Sequence, residues 1–128
     1  MVSSVAGIIL AGGFSRRMGS DKALLPIPGR EQVTFVAHLT NLLTTLCSEV
    51  VLVTRDEDQA TGYRQHLALQ EAGSVRIVSD KVPAAGPLMG LYSGLNAIHA
   101  SHALVMAVDM PFVHKDILAF LLSYPLNE

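Results

Sequence analysis

With 128 residues, half of them hydrophobic and 16% charged, the chain is long enough to bury a core and too apolar to be disordered. Nine basic against eleven acidic residues, a net charge of -2, leave no global positive field for nucleic acid, so any cationic site has to be local. The single cysteine, Cys47, cannot make an internal disulfide, which points to a reducing compartment and to a small buried thiol in a leucine-rich segment.

The first apolar run, Val5-Ala6-Gly7-Ile8-Ile9-Leu10, has strand length and no polar side chain, the pattern of a strand buried on both faces of a parallel sheet. No basic segment precedes it and a Gly-Gly pair follows, so it does not read as a signal peptide. No apolar stretch reaches the roughly 18 to 20 residues of a membrane-spanning helix. The expectation is a cytoplasmic protein without a membrane partner.

Ala23 to Gly29 holds two prolines and a glycine and predicts a short extended stretch and turn. Helical spacing of Val33, Val36, Leu39, Leu43 and Leu46 predicts a first helix beginning near Glu31, with Gln32, His38 and Asn41 toward solvent. Val50 to Val53 reads as a second buried strand. The polar segment from Asp56 to Gln70, whose only long aliphatics are Leu67 and Leu69, predicts a short surface helix stopped by Gly73. Val75 to Val78 is a third strand, placed nearer an edge by its polar Arg76.

Lys81 to Pro87 is a loop by composition, and Pro87 is suited to the first turn of the next helix. That helix carries an apolar stripe of Leu88, Leu91, Leu95 and Ile98, while Gly86, Gly90 and Gly94 recur every four residues and permit close approach of another backbone or a ligand. Ala103 to Val108 is apolar throughout and predicts a fourth, central strand. A last helix over Lys115 to Ser123 is expected to pack Ile117, Leu118, Leu121 and Leu122. Alternating buried strands and helices predict a three-layer αβα sandwich with a mostly parallel sheet, formed by one domain over residues 1–128.

The stretch from Leu10 to Lys22 follows the first strand, at the end of the sheet where α/β folds bind ligands. Gly12 and Gly13 leave backbone amides open, and Arg16, Arg17 and Lys22 add three positive charges, a combination suited to a polyphosphate. A plain glycine turn with solvated arginines has the same composition. Neither G-x-x-x-x-G-K-[ST] nor G-x-G-x-x-G is present, which disfavours a P-loop NTPase and a nicotinamide enzyme. Asp109 ends the fourth strand and suits a hard cation such as magnesium with phosphate and water ligands, or a turn cap. Asp80 ends the third strand and suits a ribose hydroxyl or a base amine, or again a turn. His99 and His102 form an H-x-x-H pair without a third ligand, which is a surface arrangement rather than zinc.

Leu10-Ala11-Gly12-Gly13, Arg17-Met18-Gly19 and Asp21-Lys22 resemble the LAGG-x-x-x-RMG-x-DK signature of nucleotidyltransferases related to the molybdenum cofactor guanylyltransferase. Gly86-Pro87-Leu88-x-Gly90 is similar to that family's GPLxG segment, and Val108-Asp109-Met110-Pro111 to its D-x-P metal site. The resemblance implies a Rossmann-like nucleotidyltransferase fold and transfer of GMP from GTP to molybdopterin with release of pyrophosphate, dependent on Mg2+. It implies that the backbone of Leu10, Ala11, Gly12 and Gly13 holds base and sugar, that Arg17 and Lys22 bind phosphates, that Asp80 contacts guanine or ribose, and that Asp109 ligates the metal. Lys22, Arg17 and Asp109 are the catalytic candidates on this basis. Relatives that transfer CMP carry LAAG, so the LAGG here leans toward guanine; cytidylyl or sugar-phosphate transfer and a non-catalytic nucleotide-binding remnant are the alternatives. The sequence departs from the guanylyltransferase at Val53 and Thr54, where that enzyme has an asparagine, and it resembles only the nucleotide-binding part of a longer, C-terminally extended family. The apolar last helix beside an abruptly ended sheet leads one to expect self-association as a homo-oligomer.

Overall fold

In chain order the computed structural model, which describes residues 5–11, 26–27, 29–69, 75–79, 87–107 and 115–123, runs β1 (Val5–Leu10), β2 (Pro26–Ile27), β3 (Arg30–Thr34), α1 (Phe35–Leu46), β4 (Glu49–Thr54), α2 (Glu57–Leu69), β5 (Val75–Ser79), α3 (Pro87–Ala97), β6 (His102–Ala107) and α4 (Lys115–Leu122). β5, β4, β1 and β6 form a parallel sheet in that order. β1 is bonded on both sides, Leu10 lying opposite Val53 of β4 and Ala107 of β6. Its side chains from Val5 to Ile9 are buried, as the unbroken apolar run requires.

Strand alternation sorts these side chains into two cores. Ile9, Ala11, Val50, Leu52 and Met106 pack with Val36, Ala37, Leu39 and Leu43 of α1 and Tyr63 of α2. Ile8, Val51 and Val53 form the second cluster with Leu10, Val78, Ala97, Ile98 and Ala103. Thus α1 and α2 cover one face and α3 the other. This is the placement that right-handed crossovers give when the chain moves outward from β1 to β5 and then returns to β6. The three-layer αβα arrangement is as expected.

Several local expectations are corrected or sharpened. The first helix begins at Phe35, not near Glu31: Arg30–Thr34 pairs with Pro26–Ile27 in an antiparallel ribbon, and the turn between them uses Gly29 at φ 83, a conformation that glycine adopts without strain. Thr34 then caps α1, its hydroxyl accepting from the Ala37 N–H at 3.3 Å. α2 is a 13-residue helix anchored by fully buried Tyr63 and Ala60 and by buried Gln59, so an aromatic and small residues dock it where the sequence showed few aliphatics. On α3 the close approach expected of its small residues is found, Gly90, Ser93 and Gly94 being buried, whereas Leu95 of the expected apolar stripe is 47% exposed. β6 is an edge strand among the described residues rather than a central one, and Val105 on it is exposed. Leu121 of α4, expected to pack, is also exposed, beside Phe120.

The amino ends of the strands are tied by a polar cluster. The Glu49 carboxylate accepts from the N–H groups of His99 and Ala100, each at 2.8 Å, and pairs with the Arg76 guanidinium, which also donates to the Ala97 carbonyl at 2.6 Å. His99 is an exposed residue beside Glu49, its Nδ1 3.4 Å from Oε1, and no group of three potential metal ligands exists among the described residues. Burial pushes the Glu49 carboxyl up, but the hydrogen bonds from His99 and Ala100 and the charge of Arg76 outweigh it and hold it below its ordinary value of 4.5. Nearby, burial pushes the half-buried Cys47 thiol up to about 11, leaving it an unreactive thiol at neutral pH.

Two glycines predict opposite mutational signs. A Cβ on Gly94 would lie 2.8 Å from Ile8 Cγ2 and 3.2 Å from Val53 Cγ2, whereas one on Gly62 would meet nothing within 4 Å. Alanine gains roughly 1 kcal/mol in helix propensity at either site, but overpacking costs about 1–3 kcal/mol. Gly62→Ala is expected to raise the denaturation midpoint and Gly94→Ala to lower it. Glu49, with its carboxyl pKa lowered by folding, contributes stability that is complete above the unfolded value of 4.5 and lost as pH falls through the folded one. Glu49→Gln is expected to lower Tm at neutral pH and to flatten its decline on acidification, measured by thermal melts in a pH series.

Candidate functional site

The sheet order reverses at β1. From β1 the chain moves outward through β4 to the edge at β5, then returns to the far side of β1 as β6. In open α/β sheets the crevice beyond the carboxyl ends of the strands at such a reversal is the ligand site. Here the reversal lies between β1 and β6, whose last residues Leu10 and Ala107 are register partners. Gly12 is two residues past Leu10 in the sequence and Asp109 two past Ala107. The two stretches singled out for phosphate and metal thus leave the sheet from adjacent strands at one point.

Of the expected site residues, the described ones are Leu10 and Ala11; Gly12, Gly13, Arg17, Lys22, Asp80 and Asp109 lie outside the described residues, as do Arg16 and the loop ahead of Pro87. Ala11, 2% exposed, extends the β1 ladder by one bond, its N–H donating to the Val53 carbonyl at 2.9 Å. Its carbonyl accepts from Gln59 Nε2 at 3.2 Å. Both backbone polar groups of Ala11 are therefore held by the protein. This leaves the chain a fixed point of departure for the glycine stretch.

Gln59 was not among the residues expected at the site. It comes from α2, whose start is a variant of the capping box: Asp56 Oδ1 accepts from the Gln59 N–H at 2.9 Å while Gln59 Oε1 accepts from the Arg55 N–H at 2.8 Å. The signal in the sequence was the spacing Asp56-x-x-Gln59, a carboxylate followed three residues later by a glutamine. The same amide reaches Tyr63 Oη at 3.1 Å, one helical turn on.

At the next strand end Thr54 is fully buried, and its hydroxyl lies 3.1 Å from the Asp56 carbonyl, 3.3 Å from the Val78 carbonyl and 3.1 Å from Ser79 Oγ. Ser79 in turn donates to Glu57 Oε2 at 2.7 Å. Where the resemblance leads one to expect an asparagine, this chain uses a threonine to knit the ends of β4 and β5. Ser79, the last residue of β5, lies two strand spacings or about 10 Å across the sheet from β1, and Asp80 is the next residue in the sequence. The described groups with shifted acidity, Cys47 and Glu49, belong to the opposite end of the sheet and to its packing.

Residues 7–126 match the family model described as the MobA-like NTP transferase domain. A protein of Chloroflexus aggregans named "Probable molybdenum cofactor guanylyltransferase" is 37% identical over 121 residues, 94% of this chain and 53% of that protein. One of the same name from Methanothermobacter thermautotrophicus is 42% identical over 110 residues, 86% of this chain and 52% of its own length. The chain spans about half the length of the curated relatives it matches. Among solved structures, a nucleotidyl transferase from Methanothermobacter superposes with a TM-score of 0.75 at 23% identity over 94% of this chain and 57% of that one. The molybdopterin-guanine dinucleotide biosynthesis protein A from Archaeoglobus fulgidus superposes with 0.69 at 24% over 91% and 53%. At these identities the superpositions speak for the fold.

Proposed function

Because the chain belongs to the MobA-like NTP transferase family, we propose that it binds GTP at the carboxyl ends of β1 and β6 and serves in transfer of GMP to the phosphate of molybdopterin. The observation that carries this reading is the reversal of strand order at β1. It brings the exits toward the glycine and cationic stretch and toward Asp109 to one register pair, Leu10 and Ala107.

On this reading the backbone from Leu10 to Gly13 holds base and sugar. Ala11 contributes through its fixed peptide plane, since its own N–H and C=O bond Val53 and Gln59. Arg17 and Lys22 neutralise and orient the phosphates, and Asp80 takes a guanine or ribose hydrogen bond. LAGG, rather than LAAG, is the feature that favours guanine over cytosine. In the transfer an oxygen of the acceptor phosphate attacks the α-phosphorus of GTP, the bond from that phosphorus to the oxygen bridging to the β-phosphate breaks, and pyrophosphate leaves. Such a displacement needs positioning and charge neutralisation more than covalent help. A lone carboxylate at a strand end fits Mg2+, which is commonly held by one or two carboxylates and completed by substrate phosphates, so Asp109 is the residue that would hold it. The metal would supply further charge neutralisation on the phosphates.

The reading makes this a cytoplasmic enzyme with small-molecule partners, GTP and molybdopterin, acting through one nucleotide-binding domain. In keeping with that, no described helix is long and apolar enough to cross a membrane. Exposed Phe120 and Leu121 on α4 support self-association.

Calorimetric titration with GTP, CTP and ATP, with and without Mg2+, is expected to give the tightest binding for GTP with magnesium; no heat with any of the three would refute the reading. Lys22→Ala and Asp109→Ala are each expected to raise the Kd for Mg-GTP by roughly ten- to a hundredfold, the worth of one charge-assisted contact, with Tm unchanged. Pyrophosphate release with molybdopterin present checks the transfer itself, and binding without release leaves nucleotide binding as the function.

A further inference from the structure

The Gln59 side chain is 6% exposed and joins three segments: its Oε1 accepts from the Arg55 N–H, and its Nε2 donates to Tyr63 Oη and to the Ala11 carbonyl. The amide takes part in the start and the docking of α2, but other groups share both tasks. Asp56 caps the helix, with the Ala60 N–H closing the first turn on the Asp56 carbonyl at 3.1 Å, and Tyr63 and Ala60 pack it on the sheet. Burying an amide carries a desolvation cost that an apolar side chain in the same place would not. What the amide adds is direction at the exit of β1.

We propose that Gln59 is a positioning residue for nucleotide binding, holding the Ala11 carbonyl so that the plane of the peptide leaving β1 is set before a ligand arrives. The proposal rests on the reading of the rim as a GTP site. With the Ala11 N–H bonded to Val53 and its C=O to Gln59, neither side of this residue is free to turn. Backbone donors bind an anion well only when their directions are fixed in advance, because the ordering otherwise subtracts from affinity. Ordering one residue's backbone on binding corresponds to about a tenfold loss in affinity.

The test compares Gln59→Met, unbranched and of similar length, with Asp56→Ala, which weakens the start of the same helix without touching the Ala11 carbonyl. Titration of the full 128-residue chain with Mg-GTP is paired with a thermal melt of each variant. Gln59→Met is expected to raise the Kd about tenfold, while Asp56→Ala lowers Tm and leaves the Kd within about twofold of wild type. If Gln59→Met does not fold, Gln59→Glu replaces it: the carboxylate has the same shape and still accepts from Arg55 but has no N–H for Ala11, and the same tenfold loss is expected. Wild-type affinity in the folded Gln59 variant, or an equal loss in Asp56→Ala at a similar Tm, would overturn the positioning role. Absence of GTP binding by the wild-type chain would instead refute the nucleotide site, and this proposal with it.

Discussion

Everything at the carboxyl rim depends on β1 being bonded on both sides. A strand between two parallel neighbours has no backbone polar group to spare and no face open to water, so it tolerates only the apolar run found from Val5 to Leu10. The ladder runs one residue beyond the strand, to Ala11, where the Val53 carbonyl and the Gln59 amide take up its N–H and C=O. Beyond Ala11 the sequence turns at once to glycine and then to arginine and lysine. Rigid strand and glycine-led sequence meet at one peptide, which suits the phosphate site proposed there.

Packing on either face keeps that strand in register. Each fully buried aliphatic side chain of β1 and β4 contributes roughly 1.5–3 kcal/mol from removal of apolar surface from water, and the two faces hold separate clusters. Gly7 lets α1 approach on one side, with Leu43 Cδ1 3.1 Å from where a Cβ would stand, and Gly94 lets α3 approach on the other. At the amino ends, Glu49 bonds the turn after α3 to β4 and to Arg76 of β5. Polar groups are bonded internally at both ends, through Glu49 at the amino end and through Gln59 and Thr54 at the carboxyl end, and it is the carboxyl ends of the strands that the glycines and aspartates follow in the sequence.

The buried strands were legible in the sequence because a parallel strand covered on both faces leaves a continuous apolar run, and β1 and β4 lie where those runs are, while β5, whose run Arg76 breaks, is at an edge among the described residues as expected. β6 carries the same signature yet is an edge among the described residues, where only Met106 of it is buried and Val105 is exposed. The β2–β3 ribbon was concealed because Val33 continues the helical spacing of Val36 and Leu39, whereas the turn at Gly29 and the cap at Thr34 decide the local structure. On α3 the glycine spacing foretold a close approach, and Gly94 lies against Ile8 and Val53, while the leucine stripe did not tell which of its members reach the core, Leu95 being exposed. The glycine and arginine stretch and the two aspartates were legible as candidate chemistry from type and order. Gln59 was not, because its partner is the Ala11 carbonyl, 48 residues away in the chain, and that contact exists only once α2 has docked.

The most direct test of this account is a crystal structure of the chain soaked with Mg-GTP. The account predicts guanosine over Leu10 to Gly13 and the triphosphate between that stretch and Asp109, across the carboxyl ends of β1 and β6, with the Ala11 carbonyl still bonded to Gln59. A nucleotide bound at the amino ends near Glu49, or no nucleotide at the carboxyl rim at saturating concentration, would contradict it.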